Sequence, residues 1–259
     1  MTSEVSSAEL VTAPHFRPSF LGRAFWKLRN ALWEMRLNVR TGGAMHWNPA
    51  LPDSRYATMP YRAFFAMLEH LRPNEDDVVV DIGCGKGRFL ACAARLPVRK
   101  VVGIEINEPL AAVARTNLER MRGRRALVDV ITAPAQEVDV SHGTIFYLYD
   151  SFGPGILRAV LNNLRSAIDA GRQVRFVYAS PRHEWVLREC GWLERYDAWQ
   201  PRPELGANHP VSFWRSIAPV AAPERVGAES AVAYRKNHTA NEVHLASAYA
   251  MRGMAANSG

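Results

Sequence analysis

The sequence predicts an α/β protein: a doubly wound, mostly parallel seven-strand sheet with one antiparallel edge strand and helices on both faces. Three observations predict it. Residues 77–90, from Asp77 to Leu90, run from a short apolar strand through alternating glycines into a helical pattern. Strand and helix signals then alternate along the chain. Two strand-like stretches with no full helix between them close it. Alternation implies parallel strands with right-handed crossovers, and a closing pair implies one reversed strand.

Size and charge are compatible with this fold and narrow the function. The chain has 259 residues, enough for one α/β domain with extensions. Its net charge of +7 permits acidic partners, but no nucleic-acid module accompanies it, so a nucleic-acid partner is not expected. No run of about 18 apolar residues is present, which excludes a membrane-spanning helix. No signal-peptide pattern opens the chain, so a cytoplasmic location is expected. The three cysteines, Cys84, Cys92 and Cys190, lack metal-ligand spacing. Free thiols and no metal site are expected.

Taken in order, residues 1–15 read as a flexible leader and 16–60 as a basic helix followed by a cover loop. The helix is expected over 19–38, with Ser19 as N-cap. Leu21, Phe25, Leu28, Leu32, Met35 and Val39 recur at spacings of three and four. Arg17, Arg23, Lys27, Arg29, Arg36 and Arg40 oppose only Glu34. Such a helix either packs on the core with its arginines solvated or makes a peripheral contact with an anionic membrane. Residues 61–217 form the main domain. It opens with a helix over 61–72 that turns Phe64, Phe65, Leu68 and Leu71 inward. Strands are expected near 78–82, 100–106, 126–132, 144–149, 173–179, 193–199 and 211–216. Helices are expected over 88–95, 109–122, 155–170 and 181–190. Residues 218–259 read as a poorly ordered tail, with a short helix from Asn241 to Met254.

The stretch around Gly83, Gly85 and Gly87 has the geometry of a ligand cradle: strand, glycine loop, helix N-terminus, with unpaired N–H groups expected to point at whatever sits over the loop. A phosphate-binding Walker loop would end Gly-Lys-Ser/Thr, and Gly87-Arg88-Phe89 does not. A dinucleotide fingerprint would place its third glycine where Arg88 stands. The pattern present is Asp81-x-Gly83-x-Gly85-x-Gly87. Glu105 lies at the end of the next strand, 20 residues after Gly85, where a carboxylate can accept from both hydroxyls of a ribose. Together these resemble the first motifs of the class I, seven-strand methyltransferases that use S-adenosylmethionine. Residues 56–217 carry the resemblance through Tyr56-x-x-x-Pro60-Tyr61, the glycine motif, Val-Val-Gly-Ile-Glu at 101–105 and Phe-Tyr-Leu-Tyr-Asp-Ser-Phe-Gly at 146–153. They are similar to an uncharacterised bacterial group, and distantly to seven-strand lysine methyltransferases.

The resemblance implies S-adenosylmethionine as cofactor and transfer of its methyl group to a nitrogen or oxygen of an acceptor. A small-molecule acceptor is expected first and a protein lysine second. A binding protein without transferase activity is the third reading. Gly83, Cys84, Gly85 and Gly87 would pack against the cofactor's methionine and ribose. Glu105 would hold the ribose hydroxyls, Ile106 would lie on the adenine, and Ala135 and Gln136 would sit at its edge. Tyr56 would close over the methionine end. Asp81 would either face the cofactor ammonium or bond local N–H groups. Lys86 and Arg88 could attract the methionine carboxylate, but they read first as solvated loop charges. Two departures stand out: Asp150-Ser151-Phe152 replaces the group's usual Asn-Pro-Phe, and Pro134 replaces the usual acid after the third strand.

Methyl transfer from a sulfonium needs positioning above all, and a base only for a protonated acceptor. Asp150 is the first catalytic candidate, as orienter or proton acceptor, and is expected to border the cofactor as well; it can equally be a helix N-cap. His183 is the second, and an exposed turn histidine is its competing reading. Glu184, Tyr61 and His46 complete the candidates near the strand ends and the N-terminal cover.

Overall fold

Val78–Ile82 forms strand β1, buried at every position. A β-branched run buried on both faces suits the middle of a parallel sheet. The remaining strands are β2 (Lys100–Glu105), β3 (Leu127–Thr132), β4 (Ile145–Tyr149), β5 (Arg175–Ala179), β6 (Leu193–Trp199) and β7 (Val211–Ser216). In this computed structural model they join in the order β3-β2-β1-β4-β5-β7-β6. β1 to β5 are parallel, as the alternation predicts. β7 runs antiparallel to both of its neighbours, so the reversal belongs to the edge pair and β6 is outermost. The chain moves one way from β1 to β3 and the other way from β4. That switch opens a crevice beyond the carboxyl ends of β1 and β4.

The structure describes residues 20–43, 56–150, 152–169 and 171–217. These all fall in the first of two compact units, residues 1–218. The expected leader, the tail with its short helix, Ser19, His46, Ser151 and most of the cover loop lie outside the described residues.

The helices are α1 (Phe20–Leu37), α2 (Tyr61–Leu71), α3 (Arg88–Ala93), α4 (Glu108–Arg120), α5 (Pro154–Asp169) and α6 (Glu184–Glu189). The Asn107 side chain caps α4 by accepting from the Leu110 N–H at 3.0 Å. Proline opens α5, where its missing N–H costs nothing. Two apolar clusters cover the two faces of the sheet. One joins Leu37, Phe64, Phe89 and Leu118 to Val79, Ile145 and Val177. The other joins Leu157, Leu161, Leu164 and Leu187 to Val80, Phe146 and Phe176. Hence α1 to α4 lie on one face, and α5 and α6 on the other. Gly103 in β2 permits α3 to approach closely. A Cβ there would lie 2.5 Å from Leu90 Cδ1 and 2.8 Å from Cys84 Sγ.

α1 packs on the domain, but not through the stripe the periodicity picks out. Trp33 lies against Phe65 at 4.7 Å and Tyr61 at 6.3 Å, and Leu37 is fully buried. Phe25, Leu28, Leu32 and Met35 instead face outward.

Polar groups from the glycine loop hold α1 in place. Arg88 is buried; its Nε donates to Thr41 Oγ1 at 2.8 Å, its Nη1 to the Met59 carbonyl at 3.2 Å and its Nη2 to Glu34 Oε1 at 3.2 Å. Its guanidinium also lies over the Tyr61 ring. Lys86 Nζ donates to the carbonyls of Gly42 at 2.9 Å and Gly43 at 3.0 Å. Neither side chain is a solvated loop charge, which corrects the expectation: an arginine fork has enough donors to satisfy a turn, a hydroxyl and a carboxylate together.

Two predictions follow from these contacts. Removing one partner of a buried ion pair leaves the other uncompensated, at roughly 3 kcal/mol. Arg88→Met should therefore lower stability by about that amount in denaturant titration and speed amide exchange at residues 39–43. An unchanged unfolding midpoint would contradict the clamp.

The second concerns Asp77, whose carboxylate takes two 2.7 Å bonds from Arg175 Nη2, joining the start of β1 to the start of β5. Burial alone would raise its pKa, but bonds from Arg175, the Asn74 N–H and Thr144 outweigh burial and hold it below the usual range. A depressed carboxylate stabilises above its unfolded pKa of about 3.9, and that stabilisation is lost as pH falls through the folded value. Because Arg175 is partly exposed, Asp77→Asn should cost a discounted ~2 kcal/mol at pH 7. The gap to the parent protein should close below about pH 4. A gap that persists in acid would point to packing rather than charge.

Candidate active site

The glycine loop bridges β1 and α3 with Gly83, Gly85 and Gly87 at φ of 80°, 53° and 78°. All three are left-handed conformations that a Cβ disfavours. The loop's N–H groups are not waiting for a ligand, however. Those of Gly83 and Cys84 both donate to the Ile104 carbonyl, at 2.8 and 3.0 Å. That of Gly87 donates to the Cys84 carbonyl at 2.9 Å, and that of Gly85 to Glu105 Oε2 at 2.8 Å. Glu105 Oε1 accepts from the Asn107 N–H at 2.9 Å. The expectation of unpaired loop N–H groups is thereby corrected for these four residues. Recognition at this loop falls to side chains instead. Glu105 braces the loop through Oε2 and the turn after β2 through Oε1, and each oxygen keeps a further lone pair for a ligand.

Asp81 supplies the most telling group. It is buried at the end of β1, and no hydrogen bond to its carboxylate is formed among the described residues. Burial, reinforced by the nearby Glu105, pushes its pKa well above the ordinary carboxyl range. In the parallel register Asp81 sits beside Tyr147 of β4. The Tyr147 hydroxyl is buried without a partner. The Tyr56 hydroxyl is buried too, close to Thr58 but without a hydrogen bond of good geometry. Burial pushes Tyr56 up to about 12. A carboxyl and two orphaned hydroxyls on one side of the sheet form a site that lacks a cationic or donor-bearing group. Tyr56 also covers the loop: a Cβ on Gly85 would lie 2.3 Å from its Cε2.

Other expected residues fall around this centre. Ile106 is 65% exposed just past β2, an apolar surface open to a ring. Ala135 and Gln136 form a 3-10 turn after β3. The Gln136 carbonyl accepts from Asn163. The Cys84 side chain turns towards Gly103 and the core, with its thiol 3.9 Å from the Gly85 carbonyl, and offers no side-chain group to a ligand. Tyr61 is fully buried and bonded to Thr41 at 2.8 Å, and Glu184 is paired with Arg188 and Arg195. Both serve the fold.

At the ends of β4 and β5 stand two non-glycine residues with positive φ, Asp150 at 29° and Ser180 at 53°. Such conformations persist where the surroundings impose them. Asp150 is not the cap of α5, which starts at Pro154. Its Oδ2 pairs with Arg182 Nε at 2.7 Å, and burial raises its pKa against the opposing charges of Arg182 and His183. His183 is half-buried at the start of α6 and makes no cap with its side chain. Asp150, Arg182 and His183 thus form one polar group at the crevice, some strands away from Glu105.

Tyr147 and Arg182 escaped the sequence reading. Tyr147 lies in an apolar strand, where only its hydroxyl hints at a polar neighbour. Arg182 was visible beside His183, but its pairing with Asp150 depends on β4 and β5 being adjacent.

Comparison with known proteins fits this arrangement. Residues 79–171 match the model of a methyltransferase-domain family. A protein-lysine N-methyltransferase of Saccharolobus islandicus (strain REY15A) is 33% identical over 100 residues, 38% of this chain and 62% of that protein. A 23S rRNA (uracil(1939)-C(5))-methyltransferase of Stenotrophomonas maltophilia (strain R551-3) is 37% identical over 92 residues, 36% of this chain and 19% of that protein. The chain therefore spans less than two thirds of the length of these curated relatives. The glycopeptide N-methyltransferase MtfA, solved with sinefungin, superposes with a TM-score of 0.50 at 9% identity, covering 63% of this chain and 88% of that one. At that identity the likeness is one of fold. Residues 79–171 thus match a methyltransferase domain, set in a mostly parallel seven-strand sheet.

Proposed function

We propose that the protein binds S-adenosylmethionine over the Gly83–Gly87 loop and transfers its methyl group to the nitrogen of an acceptor amine. The observation that carries this reading is the buried, unbonded Asp81 carboxyl beside the orphaned hydroxyls of Tyr56 and Tyr147. An ammonium placed there favours the ionised carboxylate, and its remaining N–H groups supply the donors the hydroxyls lack. Glu105 uses its spare lone pairs for ribose hydroxyls, Ile106 covers one face of the adenine, and Ala135 and Gln136 line its edge.

S-adenosylmethionine supplies a methyl group already activated on a sulfonium. The chain's residues orient and desolvate the acceptor. Asp150, held by Arg182, accepts a hydrogen bond from the amine and aims its lone pair along the crevice. As the N–C bond forms, the S–C bond breaks. When the acceptor arrives as an ammonium, Asp150 or His183 takes the proton first. A small-molecule amine is the first reading of the acceptor. A protein lysine is the second, favoured by the Saccharolobus relative's name. The name of the rRNA methyltransferase gives the expectation against a nucleic-acid acceptor no support.

Calorimetry should show binding of S-adenosylmethionine and S-adenosylhomocysteine and none of nicotinamide dinucleotides. The reverse pattern would sink the assignment. Hydrogen bonds to a charged group contribute roughly 1.5–3 kcal/mol, so Glu105→Ala should weaken cofactor binding at least tenfold. It should also lower the melting temperature, because Gly85 and Asn107 lose their acceptor. A lowered melting temperature with an unchanged dissociation constant in the folded protein would confine Glu105 to bracing the loop.

Asp150→Asn should reduce methyl transfer by about 10²-fold while leaving the cofactor dissociation constant within twofold. A fall in cofactor affinity instead would move Asp150 from the acceptor to the cofactor. Labelled cofactor with fractionated lysate, followed by separation of small molecules from protein and RNA, identifies the acceptor class.

A further inference from the structure

The outward face of α1 is apolar along its length. Phe25, Leu28, Leu32 and Met35 are 50%, 62%, 52% and 66% exposed. Ala24 and Ala31 fill the gaps between them. At 100° per residue all six fall on one stripe, opposite the Trp26, Trp33 and Leu37 face that packs on the domain. Lys27 borders the stripe on one side, and Arg29 and Arg36 on the other. The helix's acid, Glu34, is turned inward to Arg88 and Thr41.

The fold adds a second, sequence-distant set of cations to the same place. The Arg122 N–H donates to the Leu37 carbonyl at 2.8 Å, and Asn38 Nδ2 donates to the Arg120 carbonyl at 2.9 Å. The basic end of α4 therefore abuts the end of α1, with Arg120, Arg122, Arg124 and Arg125 exposed. A cavity beside the stripe is lined by Met35, Asn38, Arg40 and Arg120, among others.

We propose that α1 seats the protein on an anionic lipid surface, with Phe25, Leu28, Leu32 and Met35 in the acyl boundary and Lys27, Arg36, Arg40 and Arg120 against the headgroups. An apolar stripe bordered by long cations is the pattern of a helix lying in the interface plane: the cations reach up to phosphates while their stems cover the edge of the stripe. Charge selects this occupant over a second copy of the chain. Pairing two such stripes would bring the rows of Lys27, Arg29 and Arg36 together with no acid to receive them. A polyanion such as RNA would use the cations and leave the stripe in water. Among the described residues no helix is long and apolar enough to cross a membrane, so the contact is peripheral.

The test is sedimentation of the full chain with vesicles of phosphatidylcholine, alone or mixed with phosphatidylglycerol. The double variant Leu28→Ser, Leu32→Ser is the control, since both side chains are exposed and its melting temperature should match the parent's. The parent should sediment with the mixed vesicles, less so as salt rises, and the double variant should bind roughly tenfold more weakly. Absence of vesicle binding overturns the proposal. So does binding that the double variant leaves intact, which would place the contact elsewhere in the chain. A dimer that the variant dissolves, without vesicle binding, would assign the stripe to a second copy and equally overturn it.

Discussion

A buried guanidinium fixes how the N-terminal helix meets the glycine loop. Arg88 is the first residue of α3, yet its side chain reaches away from the loop to Glu34, Thr41 and the Met59 carbonyl. Those partners come from α1, from the turn after it and from the approach to α2. One side chain thereby sets three segments at once, and Lys86, two residues earlier, ties the loop to the turn at Gly42 and Gly43. The cost of burying a charge is offset only if nearly every donor is satisfied. The position of α1 is therefore narrowly defined by polar geometry as well as by the packing of Trp33. With Glu34 and Trp33 inward, the helix has no choice about its other face. Phe25, Leu28, Leu32 and Met35 must point out.

The same economy of hydrogen bonds shapes the loop. A glycine loop before a helix can bind anions through free N–H groups, but here those of Gly83, Cys84, Gly85 and Gly87 are all bonded internally. Glu105 is the link that makes this consistent, since it holds Gly85 from the neighbouring strand. A loop built this way is stiff before any ligand arrives. Its specificity then resides in acidic and hydroxyl side chains, which favours a ligand carrying positive charge and hydroxyl groups over a phosphate.

Much of this was legible in the sequence. The β-branched runs at Val78–Ile82 and Val101–Ile104 announce central strands because a parallel sheet buries both faces. The two closing strands fall at the positions the sequence predicts, Leu193–Trp199 and Val211–Ser216. What local pattern could not reveal was direction around a helix. The spacing of Leu28, Leu32 and Met35 marks an apolar stripe whether it meets a core or water. Only the tertiary contacts of Trp33 and Glu34 decide which. Lys86 and Arg88 were misread for a related reason: a charged residue beside glycines looks solvated until a distant segment supplies its acceptors. The Asp150–Arg182 pair required adjacent strand ends, which no local signal encodes.

Two carboxylates close together without a cation between them create the remaining tension in the site. Asp81 and Glu105 stand at the ends of neighbouring strands, and the Glu105 carboxylate makes the charge of Asp81 harder to sustain. They are not equivalent. Glu105 carries two backbone N–H donors and Asp81 carries none, so the repulsion falls on Asp81. A bound cation would offset both the burial and the neighbouring charge. An ammonium beside Asp81 would relieve that repulsion and offer N–H donors to the hydroxyls of Tyr56 and Tyr147. Burial and like charge at Asp81 are thus what would favour a cationic ligand, near the Tyr56 ring that covers Gly85.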